Sequence, residues 1–536
     1  MVKLKTLFFS GLFVAVGILA YVVSSHLFST DNLSKTDELP PTKYGDFLAA
    51  QHAVYANDFD KAGEFIATVA DVDYGVVKDT RALVTFLSGK IPDDAKGLAD
   101  ENSIAARIMY DAYLAKGGRW SELYKRHYTN KSAVYAPFRI WSGLGAGHTK
   151  EVLKYIDQLE SNPSWKMFVR GQIYAESGDI EKAAGAFANV RTDFMNMNDY
   201  IYVMSFYRAH GMHENAEILR QSFSATPGGM FLAYYDDIPD WKTTFAGTQN
   251  EFAFNIIQQV SHTQIMLYSD LSVLMLRFAQ IISQESQFFQ DMVNYYTGQF
   301  FANTHGNYAR YFDSISVDSP FYLFAKMRTT NSIIEMERIL QAHQLFIPAL
   351  NKIVAAHIRA GDKRRALRVI NRALDNKNIS DSGRAYLMKR RAFVYMMFGD
   401  YDQAQEDILE VSKKASVDSD ILLIQVRIWA AQNHKIEDAY TLAMSMVKRD
   451  PLDIIAWDTV AVVVSVREGN SAALEILEKI AGTANSCSSL FEHLGDAYVA
   501  AGRPDLARTA YNRAIELSED GLVIVPHIQK KLRRIK

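Results

Sequence analysis

From residue 347 onward, apolar positions recur at helical spacing in blocks that come in pairs. In each pair an apolar helix runs into a Gly- or Asn-containing turn, and a second helix follows that begins acidic-x-Ala. The turns read Ala360-Gly361-Asp362, Phe398-Gly399-Asp400, Gln432-Asn433-His434, Glu468-Gly469-Asn470 and Ala501-Gly502-Arg503. A small residue then marks where the second helix crosses the first: Ala366, Ala404, Ala439, Ala473 and Ala507, at spacings of 38, 35, 34 and 34 residues. This recurrence predicts a stack of helical hairpins, each burying its apolar face on the next.

The same signals return more loosely upstream. Asn57-Asp58-Phe59-Asp60-Lys61-Ala62, Ser177-Gly178-Asp179-Ile180-Glu181-Lys182-Ala183 and Gly211-Met212-His213-Glu214-Asn215-Ala216 are turns followed by a crossing residue. Ala95 follows Ala62 by 33 residues, and Ala216 follows Ala183 by 33. Gly171, Tyr174 and Phe187 repeat the pattern's Gly, Tyr and aromatic positions. Between Ala95 and Ala183 the pattern predicts two degenerate hairpins, with turns at Gly117-Gly118 and Gly145-Ala146-Gly147 and with Leu123 and Val152 where Ala is expected. From Pro227-Gly228-Gly229 to Leu345 the array is interrupted. Residues 236–247 read as irregular, and 252–260, 265–282 and 288–301 as long apolar helices. Ser269, Asp270, Arg277 and Gln280 break up the second of these, which makes it a buried helix and not a membrane span. Gly306-Asn307-Tyr308 reads as a further hairpin turn.

Residues 488–521 carry the resemblance that names the pattern. Phe491, Leu494, Gly495, Tyr498, Ala507, Tyr511 and Ala514 fall at the bulky, Leu, Gly, Tyr, Ala, aromatic and Ala positions of the tetratricopeptide repeat, which this segment resembles. The resemblance implies an all-α, superhelical solenoid of antiparallel helix pairs, preceded here by one N-terminal transmembrane or signal helix. It also implies a concave groove lined by the first helix of each hairpin. Carried over position by position, that groove would take Tyr386, Lys389, Phe393, Met396, Ile424, Ile428, Asp458, Glu492 and Asp496 as partner-binding residues. Such a surface is apolar at one end and acidic at the other, which suits a peptide or helix with apolar anchors and some positive charge. Large apolar side chains left on an open face usually mark a binding site.

The N-terminus changes the picture. Lys3 and Lys5 precede an uncharged run over residues 6–25, longer than a signal-peptide core and close to the ~20 residues of a membrane span. Val23-Ser24-Ser25 is a passable cleavage site, so the run reads as an uncleaved anchor, with a cleaved signal and a buried globular helix as the alternatives. The lysines on one side, against Asp31, Asp37 and Glu38 on the other, would keep the N-terminus in the cytoplasm and send the rest across. The expected location is therefore the inner membrane, single-pass, with the repeats on the periplasmic side, or a secreted periplasmic form after cleavage. The whole layout looks like the signal-bearing or membrane-anchored tetratricopeptide proteins of Gram-negative bacteria. Expected segments are an anchor over 1–28, a linker over 29–42, repeats over 43–230, a divergent helical segment over 231–346, repeats over 347–521 and a basic capping tail over 522–536.

Composition removes function classes. A net charge of −3 offers no basic excess for nucleic acid. Cys487 is the sole cysteine, which excludes an internal disulfide and a cysteine zinc site and reads as a small residue beside a helix. Gly143-Leu144-Gly145-Ala146-Gly147-His148-Thr149-Lys150 imitates a phosphate loop, but no strand precedes it and Lys150 follows Thr149 in the wrong order; Thr149 is expected to cap a helix instead. His210 and His213 lack acidic partners for a metal. Tyr295, Tyr296, Phe300, Phe301, Tyr308, Tyr311 and Phe312 read as helix packing, and the basic residues of 530–536 as a solvating cap. No cofactor is expected. The leading expectation is a non-catalytic scaffold or adaptor for envelope proteins, self-association being possible. The rival is an enzyme, or a solenoid fused to one, with its site in the divergent middle.

Overall fold

The computed structural model describes residues 41–55, 58–69, 75–88, 103–130, 133–234, 239–262, 270–283, 286–303, 308–413, 418–482 and 487–535. Every regular element among these residues is a helix. The expected anchor over 1–28, most of the linker, Ala95 and Gly306-Asn307 lie outside the described residues. Pro41 already belongs to a helix, so the expected linker is helical at its end. No described helix is long and apolar enough to cross a membrane.

The chain separates into two compact units. The first holds the described residues up to Phe223 together with Asp237–Thr329; the second holds Ser224–Asp236 and Thr330–Lys536. The middle over 237–329 clusters with the N-terminal hairpins, and 330–346 with the C-terminal ones.

The hairpin helices of the first unit are α1 (Pro41–Tyr55), α2 (Phe59–Thr68), α3 (Gly75–Leu87), α4 (Ile104–Lys116), α5 (Trp120–His127), α6 (Ala136–Gly145), α7 (Thr149–Gln158), α8 (Pro163–Glu176), α9 (Ile180–Ala188), α10 (Met197–Ala209) and α11 (His213–Ser224). The middle adds α12 (Trp241–Thr244), α13 (Thr248–His262), α14 (Asp270–Ile282), α15 (Gln287–Asn303), α16 (Ala309–Asp313) and α17 (Tyr322–Thr329). The one-turn α12 corrects the irregular reading of 236–247; Asp240 caps it by accepting from the Thr243 amide at 3.0 Å. The second unit runs α18 (Ile333–Ala342), α19 (Ile347–Arg359), α20 (Lys363–Leu374), α21 (Asp381–Met397), α22 (Tyr401–Ser412), α23 (Ser419–Ala431), α24 (Ile436–Arg449), α25 (Ile454–Arg467), α26 (Asn470–Ala481), α27 (Ser488–Ala500), α28 (Pro504–Glu516) and α29 (Val525–Arg534).

The turn chemistry explains the hairpins. Gly361 takes a left-handed φ of 75°, its amide donating to the Ile358 carbonyl at 2.9 Å, and the next residue, Asp362, accepts from the Arg365 amide at 2.9 Å. One helix is thus closed and the next capped within two residues. Where the turn has no glycine, Asn433 adopts φ 49°, a conformation Asn tolerates better than other side chains. The crossing alanines 62, 183, 366, 404, 439 and 507 are all fully buried, while Ala216 is only half-buried. In the degenerate hairpins the small residue has moved to the other helix. A Cβ at Gly143 would lie 2.6 Å from Val152, and one at Gly145 would lie 2.5 Å from the Trp120 ring. The glycines that imitate a phosphate loop are therefore packing glycines. Thr149 is the first residue of α7 and His148 takes the cap position without a side-chain hydrogen bond, contrary to the capping role expected of Thr149.

In the first unit the inner helices are covered by the unit's own middle. α13 lies on α6 and α8, and α14 on α3 and α4. Aromatic contacts fill the junction: Phe138 meets Phe252 and Phe278 at 5.2 and 4.7 Å between ring centres, and Tyr202 meets Phe245 and Phe254 at 4.9 and 5.0 Å. The same face of α13 also presents Glu251, Asn255, Gln258 and His262, spaced as one stripe of a helix. Glu251 accepts from the Tyr202 hydroxyl and from Gln172 Nε2 at 2.9 Å. Asn255 donates to Gln172 Oε1 at 3.1 Å, and Gln258 donates to Asp199 Oδ1 at 2.7 Å. His262 Nε2 lies 2.5 Å from Asp199 Oδ2, and Asp199 also closes the capping box of α10. Burial, helped by the charge of Glu176, pushes the Glu251 carboxyl well above its ordinary 4.5 despite the opposing hydrogen bonds. Burial pulls His262 down, but the Asp199 charge and hydrogen bond outweigh it and the net shift is upward.

In the second unit the first helices α21, α23, α25 and α27 pack side by side. The segment after α28 crosses back: a 3₁₀ turn at Ser518–Asp520 packs on α19, and a Cβ at Gly521 would lie 2.5 Å from that of Ala355. Ile524 enters the core built by α19 to α23. A second 3₁₀ segment, Pro227–Tyr234, lies on α21, where Ser380 Oγ donates to the Gly229 carbonyl at 2.8 Å.

Two outcomes test these packings. A Cβ at Gly495 would lie 2.5 Å from the Tyr511 ring, so Gly495→Ala should destabilise by roughly 1–3 kcal/mol. Gly185 is exposed within α9 and has open space around it, so Gly185→Ala should stabilise by about 0.5–1 kcal/mol. Urea unfolding of both variants reads the two signs, and equal effects would contradict the packing. Separately, folded-state values raised for Glu251 and His262 mean stability present below about 4.5 and 6.5 and lost as pH rises through the folded values. Glu251→Gln should flatten the decline of unfolding free energy above about pH 5, by up to about 1.4 kcal/mol per pH unit. Parallel pH profiles for wild type and variant would refute the buried carboxyl.

Candidate protein-interaction surface

The expected groove residues are brought onto one side of the second unit's first helices, where each meets a partner within the chain. Tyr386 on α21 is half-buried and its hydroxyl accepts from Asn351 at 2.6 Å. Lys389 pairs with Asp418 and, at 3.1 Å, with Asp420; burial lowers its proton affinity, but the two carboxylates prevail and raise it. Asp458 is fully buried on α25, 2.7 Å from Arg427 of α23 and 2.7 Å from His493 of α27, and accepts from Ser489 at 2.8 Å. Burial alone would raise its carboxyl; the His493 and Arg427 charges hold it at about 2 instead. Glu492 and Asp496 on α27 meet Lys531 of α29 at 2.8 and 2.6 Å, and Tyr511 donates to Asp496 at 2.6 Å.

The apolar members are not open to solvent. Phe393 and Met396 are each 7% exposed, Ile424 1% and Ile428 2%. They belong to a core that also takes in Ile524 and Leu522 from the returning C-terminal segment and Met230 and Phe231 from the 3₁₀ segment. These four residues are therefore part of a core built within the chain, not of an open groove. The acidic end is likewise occupied, by Lys531, so the basic tail makes specific ion pairs where only a solvating cap was expected.

What remains open was not anticipated. α20 carries Lys363, Arg364, Arg365, Arg368 and Arg372 within ten residues. Lys363 pairs with Asp400 and Arg365 with Asp362. Arg364, Arg368 and Arg372 are exposed at i, i+4 and i+8, one ridge about 12 Å long, and make no ion pair or hydrogen bond with any described residue. They edge a shallow groove of about 490 Å³ floored by Leu367 and Asn371, with Asp375 at its end. The signal lay in the sequence KRRALRVINRAL, whose charges fall on the face opposite buried Ala366, Ile370 and Ala373. A near-neutral total charge conceals so local an excess.

The Glu251–Tyr202 pair faces no solvent, and among the described residues no three His, Cys, Asp or Glu side chains converge on a metal position. Cys487 is half-buried at the start of α27, and burial raises its thiol. The aromatic residues of 295–312 pack on one another, for example Phe301 stacked on Tyr311 at 5.6 Å.

Residues 489–520, spanning α27, its turn and α28, match the tetratricopeptide repeat family. The end of the second unit thus carries one tetratricopeptide repeat. Within that repeat Leu494, Ala507, Tyr511 and Ala514 are buried, and Gly495 admits the Tyr511 ring. No curated protein sequence matches the chain. Among solved structures, a tetratricopeptide repeat protein from Parabacteroides merdae is similar over 54% of this chain and 98% of its own, with 15% identity and a TM-score of 0.30. The APC/C hetero-tetramer Cut9-Hcn1 is similar over 91% and 97%, with 11% identity and a TM-score of 0.26. Yeast Tom70 is similar over 92% and 96%, with 11% identity and a TM-score of 0.25. A tetratricopeptide array is an architecture typical of protein-binding scaffolds.

Burial of the inner face yields a direct test. Phe393→Ser combined with Ile428→Ser should lower stability by about 5 kcal/mol or more, because each removes a buried side chain and adds an unpaired hydroxyl. Thermal and urea unfolding check this, and a double variant as stable as wild type would mean the face is open after all.

Proposed function

We propose that this protein is a non-catalytic adaptor of the cell envelope, held at the inner membrane by residues 6–25 with its repeats on the periplasmic side, and that it binds an acidic segment of a partner protein on α20. A secreted periplasmic form after cleavage is the alternative for location. The observation that carries the binding mode is the ridge of Arg364, Arg368 and Arg372, unpaired among the described residues, while Lys389, Asp458, Glu492 and Asp496 are paired. Three guanidinium groups in register, with no lysine among them, favour planar bidentate carboxylates over diffuse negative charge. Leu367 and Asn371 between them provide a short apolar and hydrogen-bonding floor. An acidic helix or strand laid along α20 would satisfy all three. Lys3 and Lys5 ahead of an uncharged run support the anchored orientation.

The test uses the full chain, extracted from membranes in detergent. A co-purifying partner should be released by salt and should bind Arg364→Gln/Arg368→Gln/Arg372→Gln about tenfold more weakly, with an unchanged melting temperature. Undiminished binding by the triple variant would remove α20 from the proposal, and recovery of the chain without detergent would remove the anchor.

A further inference from the structure

The hairpins α19–α20 and α21–α22 follow one another and are built on the same plan. Each second helix starts after a Gly-Asp turn, Gly361-Asp362 before α20 and Gly399-Asp400 before α22. Each has a fully buried crossing alanine, Ala366 and Ala404, 38 residues apart. A shift of 38 residues therefore maps α20 onto α22 position by position. Applied to the exposed ridge of α20, it sends Arg364, Arg368 and Arg372 to Asp402, Glu406 and Glu410. Asp375, which ends α20, goes to Lys413, which ends α22. The charge thus changes sign at equivalent positions of successive hairpins, all along the helix.

The carboxylates are accessible too. Asp402 and Glu406 are exposed and unpaired among the described residues. Glu410 is half-buried and meets the exposed Lys413 at 2.9 Å. Between them Leu409 stands 55% exposed, a large apolar side chain in a charged setting. Its equivalent on α20 is Asn371, which with Leu367 floors the groove edged by the three arginines. The basic ridge borders a hollow, and the acidic ridge carries an apolar projection at the matching position. No other second helix of the unit has three like charges at these positions; α24, for example, has Glu437, Thr441 and Ser445.

We propose that α20 binds α22 of a second copy of this chain, an inference that rests on α20 being the acid-binding helix and names its partner. Lys363, the first residue of α20, pairs with Asp400, the cap of α22, so the two helices start side by side. Second helices of successive hairpins also run in the same direction. A two-fold axis along them exchanges their places, so α20 of each copy lies on α22 of the other. Arg364, Arg368 and Arg372 then face Asp402, Glu406 and Glu410 twice over, and Leu409 enters the groove over Leu367. The competing alignment, α20 on α20, sets like charges against each other, so repulsion fixes the pairing as well as attraction. Exposed ion pairs are individually weak and screened, which makes the dimer reversible and salt-sensitive.

Sedimentation velocity of the full chain in detergent should show a concentration-dependent dimer at low ionic strength that dissociates as salt is raised. Arg364→Glu with Arg368→Glu, and separately Asp402→Arg with Glu406→Arg, should each weaken association about tenfold or more. The mixture decides. The first variant is acidic on both helices and the second basic on both, so equimolar mixing should restore a dimer containing one of each. A wild type that stays monomeric, or two weakened variants that do not pair when mixed, overturns the proposal. If a charge reversal fails to fold, Arg368→Gln and Glu406→Gln replace it; each should weaken the dimer several-fold, and full dimerisation by either overturns the proposal. The two readings of α20 fail separately. A monomeric wild type whose co-purifying partner is still lost on Arg364→Gln/Arg368→Gln/Arg372→Gln overturns self-association and leaves a different acidic partner on α20.

Discussion

Glu251, Asn255, Gln258 and His262 put four polar side chains on one face of α13, and the assembly of the first unit turns on how they are buried. An apolar helix could slide or rotate within an apolar cradle at little penalty. A helix with a polar stripe cannot, because every unmatched donor or acceptor inside the core costs about 1–3 kcal/mol. Gln172 on α8 and Tyr202 and Asp199 on α10 supply the matching groups, so the register of α13 against both helices is set together. The aromatic contacts around the stripe add area but little selectivity. Asp199 ties the arrangement to the chain's local structure, since the carboxyl that meets His262 also closes the capping box of its own helix.

The consequence is an array whose inner surface is filled by its own sequence. The second unit reaches the same condition by other means, with Leu522, Ile524 and Lys531 returning from the end of the last hairpin and Met230 and Phe231 arriving from the 3₁₀ segment. A repeat array usually offers its concave side to partners, and that side is available only where nothing within the chain outcompetes them. An intramolecular segment competes at a high effective concentration, which a separate peptide must exceed. On the proposed reading recognition moves to outer surfaces, and α20 is where the charge pattern leaves groups unanswered among the described residues.

Much of this was legible in the sequence, and the part that was not shares a cause. Hairpin existence, turn positions and crossing residues depend on neighbours within about 34 residues, and Ala366, Ala404, Ala439, Ala473 and Ala507 announce them directly. That Phe393, Met396, Ile424 and Ile428 are large apolar residues of first helices was legible as well. Their exposure was not, because Ile524 lies more than ninety residues beyond Ile428 and nothing local connects the two. The stripe on α13 is visible at its spacing of four, three and four, but polar residues within an apolar helix indicate burial only when their partners on α8 and α10 are known. Val152 in place of alanine was a local puzzle with a local answer, Gly143, that the resemblance to a phosphate loop concealed.

The unpaired arginines differ in what their solvation permits. Arg364, Arg368 and Arg372 stand in water, where an uncompensated guanidinium is stable and attraction to an acidic partner is screened within about 8–10 Å at physiological salt. Such a ridge accelerates encounter and selects charge, yet contributes modestly to affinity and leaves the fold indifferent to its occupancy. Arg277 is in the opposite position. It is half-buried and fixed by a backbone carbonyl and a side-chain amide, so its charge bears on the stability of α14 itself. The two settings therefore differ in how they answer to the surroundings: salt weakens what α20 holds, whereas the Arg277 charge is held by neutral groups within the fold.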